Sequence, residues 1–244
     1  MKIINKLLYE FYSPLKSESQ RIFFIDFLRF SAIILMIIYH TGYDLNFFKL
    51  APINLRAPFW YYLPRVIVPL FLFSSGISLN YKAKRGSISH NFTLLRFRIF
   101  KIGFYALLIS ISTYFLFPKN WIYFGTLHCI SSCSLIACLF YGLSWQPLMT
   151  GILIQLNYFL NIIPFSDPMD SIQIKSIDYI SLYPWAGVFL IGMGLSSFLI
   201  KSLSAYKCPH KLRLISYISQ KSLPIYLLHQ IIIFGILFGV SKLV

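Results

Sequence analysis

The stretch from Arg21 to Leu45, RIFFIDFLRFSAIILMIIYHTGYDL, sets Asp26, Arg29, His40 and Asp44 in a run otherwise built from Ile, Leu, Phe and Met. His40 and Asp44 are one helical turn apart. A carboxylate at that spacing can orient an imidazole and stabilise its cation, and imidazole titrates near neutrality, so the pair suits proton transfer during group transfer. At ~100° per residue the four ionisable groups fall within one stripe of about 60°. Facing lipid, each would cost roughly 2.5–3.5 kcal/mol. A single stripe lets all four face a protein interior instead. Arg65, His128 in WIYFGTLHCI, and His229 with Gln230 in SLPIYLLHQ complete the polar set. No Gly-rich phosphate loop, serine nucleophile elbow or metal-ligand spacing accompanies them.

The elements that carry these residues follow from composition. Of 244 residues, 57% are hydrophobic and 12% charged, whereas a soluble domain has about 25% charged residues. The expectation is an all-α, polytopic transmembrane helix bundle of about seven spans. Apolar runs near the ~20 residues needed to cross a bilayer lie at 22–43, 59–80, 99–117, 121–142, 147–164, 179–200 and 222–242. Residues 21–244 read as a single membrane-embedded domain. Residues 1–20 place Ile3, Ile4, Leu7, Leu8 and Phe11 at helical spacing, the pattern of a short amphipathic helix in the interface.

Most of the 22 basic residues cluster in the amino-terminal segment and in the loops after the second and sixth spans. The positive-inside rule then puts the amino terminus in the cytoplasm. Basic residues spread over three loops beside a bilayer suit topology and anionic headgroups, so no nucleic-acid partner is expected. The four cysteines (Cys129, Cys133, Cys138 and Cys208) fall in a span and a cytoplasmic loop, where neither a structural disulfide nor a metal is expected.

Depth sorts the polar residues into two groups. With ~1.5 Å rise per residue, Asp26 and Arg29 lie roughly 6 and 10 Å from the cytoplasmic entry and His40 roughly 27 Å. The expected outer constellation is His40, Asp44, Arg65 and His128. The expected inner set is Asp26, Arg29 and His229. Asp26 and Arg29, three residues apart, can also satisfy one another and brace the bundle, and His229 can be capped by Gln230 or Tyr226. Tyr183 and Trp185 open the sixth span, where an interfacial aromatic belt explains them unaided.

Five blocks in order carry a family resemblance: IDFLRFSAIILMIIYHTGYDLNFF (25–48), FWYYLPRVIVPLFLFSSGISL (59–79), WIYFGTLHCIS (121–131), DYISLYPWAGVFLIGMGL (178–195) and SLPIYLLHQ (222–230). From about Arg21 onward the chain resembles the bacterial and archaeal relatives of the heparan-alpha-glucosaminide N-acetyltransferase catalytic domain. Two departures stand out. Relatives usually have Gly where Phe30 follows DFLR, and the loop NFFKLAPINLRAPFW holds no histidine where the lysosomal relative has one.

The resemblance implies an integral membrane acyltransferase of a prokaryotic plasma membrane. It would move an acetyl or other acyl group from acyl-CoA to a sugar or glycoconjugate hydroxyl or amine, without a metal. The site residues expected on this reading are His40, Asp44 and His128 for catalysis and Arg65, Asp178, Tyr183 and Trp185 for substrate binding. Asp26, Arg29 and His229 take structural or secondary parts. Partners are membrane lipids, acyl-CoA and the acceptor, with a homodimer as one option. The alternative function is a small transporter or proton path using the same polar stripe. Against it, the paired, broken half-spans of inverted-repeat transporters are missing from the sequence.

Overall fold

The computed structural model describes residues 22–83, 88–165, 176–203 and 212–243, for 81–83 and 88–94 by backbone alone. Among them are eight α-helices: α1 (Phe23–Phe47), α2 (Pro58–Ala83), α3 (Ile88–Leu116), α4 (Thr126–Ile136), α5 (Gln146–Leu160), α6 (Trp185–Leu203), α7 (Arg213–Gln220) and α8 (Ser222–Ser241). A 3-10 turn, Ala137–Phe140, extends α4. The amphipathic segment expected over residues 1–20 lies outside the described residues.

Each of the seven apolar runs forms a helix, and α1, α2, α3, α6 and α8 are long and apolar enough to cross a membrane. The fourth and fifth runs give shorter elements. α5 has 15 residues, a rise of ~22 Å against the ~30 Å of a bilayer core. The fourth begins late because Trp121–Phe124 is not helical. That stretch binds the segment before α6 instead: Ile177 N–H donates to Asn120 O and Ile180 N–H to Phe124 O, both at 3.0 Å.

α2 is central, with α1 along one side and α6 along another; α5 packs on α6, α4 on α3, and α7 and α8 on α1. Close approach of α2 and α6 depends on glycine. A Cβ on Gly76 would strike the Phe189 carbonyl, and one on Gly192 the Phe73 carbonyl. Small residues at such crossings let backbones meet and hydrogen-bond across the contact. Asn80 does so, donating to Met193 O at 3.0 Å and Ser196 Oγ at 2.6 Å. Ile33, Met36, Leu72, Phe189 and Leu190 fill the core around this crossing. Cys129 and Cys133, buried one turn apart on α4, are free thiols with sulfurs 3.9 Å apart.

Candidate active site

α1 and α8 run parallel, because Ser219, just before α8, meets Asp26 and Phe234 meets Phe48. Between those contacts the rings of His40 and His229 stand edge to face with centroids 4.9 Å apart. His229 therefore belongs with His40, not with Asp26 and Arg29. Depth counted from the first apolar residue of the seventh run misplaces it. Ser219, three residues earlier, is already level with Asp26, so the α7–α8 chain is shifted along α1.

His229 is buried and its tautomer is fixed by its neighbours. Nδ1 lies 2.7 Å from Tyr226 O. A carbonyl only accepts, so Nδ1 carries the proton and Nε2 presents a lone pair. That Nε2 has no hydrogen-bond partner among the described residues. His40 donates and accepts no hydrogen bond among them either; it touches Tyr39 and His229 ring to ring.

Asp44, 1% exposed, accepts from Gln230 Nε2 at both carboxylate oxygens, at 3.1 and 3.0 Å. The carboxylate demands a donor, which orients the amide and leaves Gln230 Oε1 buried with no partner among the described residues. Arg65 is exposed, donates to Tyr61 O at 2.7 Å and stacks 3.9 Å over the Tyr61 ring.

His128 has both ring nitrogens occupied. Gly125 N–H donates to Nδ1 at 3.1 Å, so Nε2 is the protonated nitrogen and donates to Ser110 Oγ at 3.0 Å. Ser110 in turn donates to Ile122 O at 2.7 Å. The imidazole thereby caps the start of α4 and ties it to α3.

Asp178 is carried to this region by the pairing of 176–180 with 120–124. A side chain on Gly125 would meet Asp178 Oδ2 at 3.1 Å. Burial raises the Asp178 carboxyl from 3.8 to about 6. Its charge bears on Tyr39, beside His40, and on Tyr226, whose carbonyl holds His229.

Tyr183 lies elsewhere. Its hydroxyl accepts from Asn157 Nδ2 at 2.8 Å and its ring packs 4.5 Å from Phe165. Trp185 packs against the main core. At the other end of α1, Asp26 accepts from Ser219 Oγ at 2.9 Å and Arg29 donates to Ser78 Oγ at 2.5 Å. Sequence reading missed Gln230 as the partner of Asp44, although it adjoins a candidate histidine in LLHQ.

The model of the heparan-alpha-glucosaminide N-acetyltransferase catalytic domain matches residues 21–231. No curated protein and no solved structure matches the chain. The matched span runs from just before α1 to just past Gln230, so it takes in the histidine pair, Asp44 and its partner. The chain belongs to the heparan-alpha-glucosaminide N-acetyltransferase catalytic family, membrane acetyltransferases that use acetyl-CoA.

Proposed function

We propose that this chain moves an acetyl or other acyl group from acyl-CoA to a hydroxyl or amine of a sugar or glycoconjugate, with the chemistry at His40 and His229. The supporting observation is the histidine pair itself: two imidazoles in ring contact, one with its lone pair set on Nε2, beside a buried carboxylate. With family membership established, acyl transfer is the chemistry such a pair serves.

In this reading His40 is the general base. As the acceptor oxygen or nitrogen attacks the thioester carbonyl, its proton passes to His40. The C–S bond then breaks and the departing CoA sulfur takes up a proton. His229 supports the cation that forms on His40, with Asp44 adding negative charge nearby. Gln230 Oε1, His229 Nε2 and Asp44 are all acceptors, and they suit an acceptor substrate rich in O–H or N–H donors. Asp178 and Arg65 flank the mouth as substrate contacts. Tyr183 and Trp185, placed on the α5–α6 side, serve the packing of that side. His128, with both nitrogens spent, braces α4. The amino terminus is cytoplasmic, so acyl-CoA arrives from the Asp26 end.

The test is transfer of labelled acetyl from acetyl-CoA by the purified chain to a panel of amino sugars and polyols. General-base catalysis contributes about 100- to 10,000-fold. His40→Ala should lose at least about 100-fold of the rate at unchanged abundance; full activity in that variant would remove His40 from the mechanism.

A further inference from the structure

Gln230 is held by its amide nitrogen and unmatched at its amide oxygen. Nε2 donates to both carboxylate oxygens of Asp44, at 3.1 and 3.0 Å. A carboxylate only accepts, so turning the amide over would set oxygen against oxygen. Oε1 is thereby fixed in place, buried, with no hydrogen-bond partner among the described residues. Bracing Asp44 uses the N–H groups alone. The amide brings an acceptor as well, and that acceptor is the part the fold leaves unmatched.

The next turn of both helices is aromatic. Phe48 and Phe234 meet with ring centroids 4.8 Å apart, and Phe47 and Phe117 reach the same Phe234 ring at 6.0 and 6.3 Å. Phenyl rings carry no polar hydrogen, so this side gives the amide oxygen no donor. On the other side stands His229, the residue before Gln230. Its Nδ1–H goes to Tyr226 O, and its Nε2 is a second acceptor with no partner among the described residues. Consecutive residues of α8 therefore present two unmatched acceptors. One is an imidazole nitrogen on a ring in contact with His40, the other an amide oxygen fixed by Asp44.

We propose that Gln230 determines which acceptors the site takes: its Oε1 receives a hydrogen bond from a second O–H or N–H of the acceptor, on the carbon next to the group that is acylated. This rests on the acyltransferase reading above, with His40 as base. Consecutive residues are about 1.5 Å apart along a helix axis, so a group at the histidine pair and a group at Gln230 belong to neighbouring atoms of the ligand. Vicinal diols and vicinal amino alcohols meet that demand, and sugars carry many such pairs. An acceptor with no hydrogen to give at that place does not, because Asp44 keeps the amide from turning to donate. A site built to bond a hydroxyl discriminates against the analogue that lacks it, since its own buried polar group is then left unpaired.

The experiment uses three ring amines. In 2-aminocyclohexanol the O–H is vicinal to the amine; in 2-fluorocyclohexylamine a fluorine of similar size has no hydrogen to give; in 4-aminocyclohexanol the O–H lies across the ring. Binding is read by saturation-transfer NMR on the full chain in phosphatidylcholine nanodiscs, without acyl-CoA and with empty nanodiscs as the blank. The kcat/KM for acetyl transfer is measured on the same preparation. The expected result is a preference for 2-aminocyclohexanol of at least about tenfold over both others in the unaltered chain. Gln230→Met, which keeps the length of the side chain without the amide, should bring that ratio to about one. Equal binding of the three by the unaltered chain overturns the proposal, and so does a preference that survives in Gln230→Met. If Gln230→Met fails to fold, the alcohol against the fluoride on the unaltered chain decides. Because binding is read without turnover, the preference in binding with no acetyl transfer would count against the acyltransferase reading alone, and transfer without the preference against Gln230 alone.

Discussion

The two polar ends of α1 differ in how fully their groups are partnered. At the Asp26 end the contacts are made: Arg29 donates to Ser78 Oγ, Arg98 to Ser75 O and Ser219 to Asp26. At the His40 end, acceptors are in excess: His229 Nε2 and Gln230 Oε1 have no donor among the described residues, and they adjoin the Asp44 carboxylate. A bundle held together only for stability would pair such groups internally, since a buried polar group without a partner costs about 1–3 kcal/mol. The unmatched acceptors at the His40 end suit a ligand that brings hydrogen-bond donors.

The comparison can be broken most directly at the histidines. His229→Phe keeps an aromatic ring against His40 and removes both nitrogens. Acetyl transfer should fall by about 100-fold, measured on protein that elutes as a single peak; a variant with native rate would reduce His229 to packing. Gln230→Leu comes next. It strips both hydrogen bonds from Asp44, and unfolding should be easier by about 1–3 kcal/mol in detergent. At the Asp26 end Ser219→Ala should cost only about 0.5–1.5 kcal/mol, as the carboxylate there has further interactions. If Ser219→Ala proved the more damaging of the two, the reading of the His40 end as the less supported one would fail.

The smallest effect concerns pH. The Asp178 carboxyl ionises at about 6 in the folded chain, against 3.8 for the exposed group. The folded state thus holds this proton longer than the unfolded state. The group's contribution to stability falls as pH rises from 3.8 to about 6 and is level above that. Asp178→Asn should remove that slope from a plot of stability against pH; an unchanged slope would assign it to another group.

Much of the architecture was legible in the sequence because apolar run length reports helices directly. All seven runs are helical, and the stripe through Asp26, Arg29, His40 and Asp44 does face protein: Asp26 and Asp44 are 2% and 1% exposed. What escaped was register between distant helices. The His40–His229 contact depends on how far α7 extends α8 past the start of its apolar run, which no local pattern encodes. Arg98 just precedes the third apolar run, yet α3 begins at Ile88, so Arg98 stands well inside a helix and donates to Ser75 O. His128 looked like its fellow histidines by type and depth. Only the Gly125 and Ser110 contacts show that its nitrogens are occupied.

The contact between α1 and α8 has a consequence for how the chain is made. Asp44 and Gln230 are 186 residues apart, and His40 waits on the same late partner helix. Ribosomes deliver α1 before α8, so the histidine pair cannot assemble until synthesis has passed Gln230 and α8 has docked. A chain stalled before that point carries the early half of the site without the groups that complete it. Completion of the site thus waits on the docking of α8.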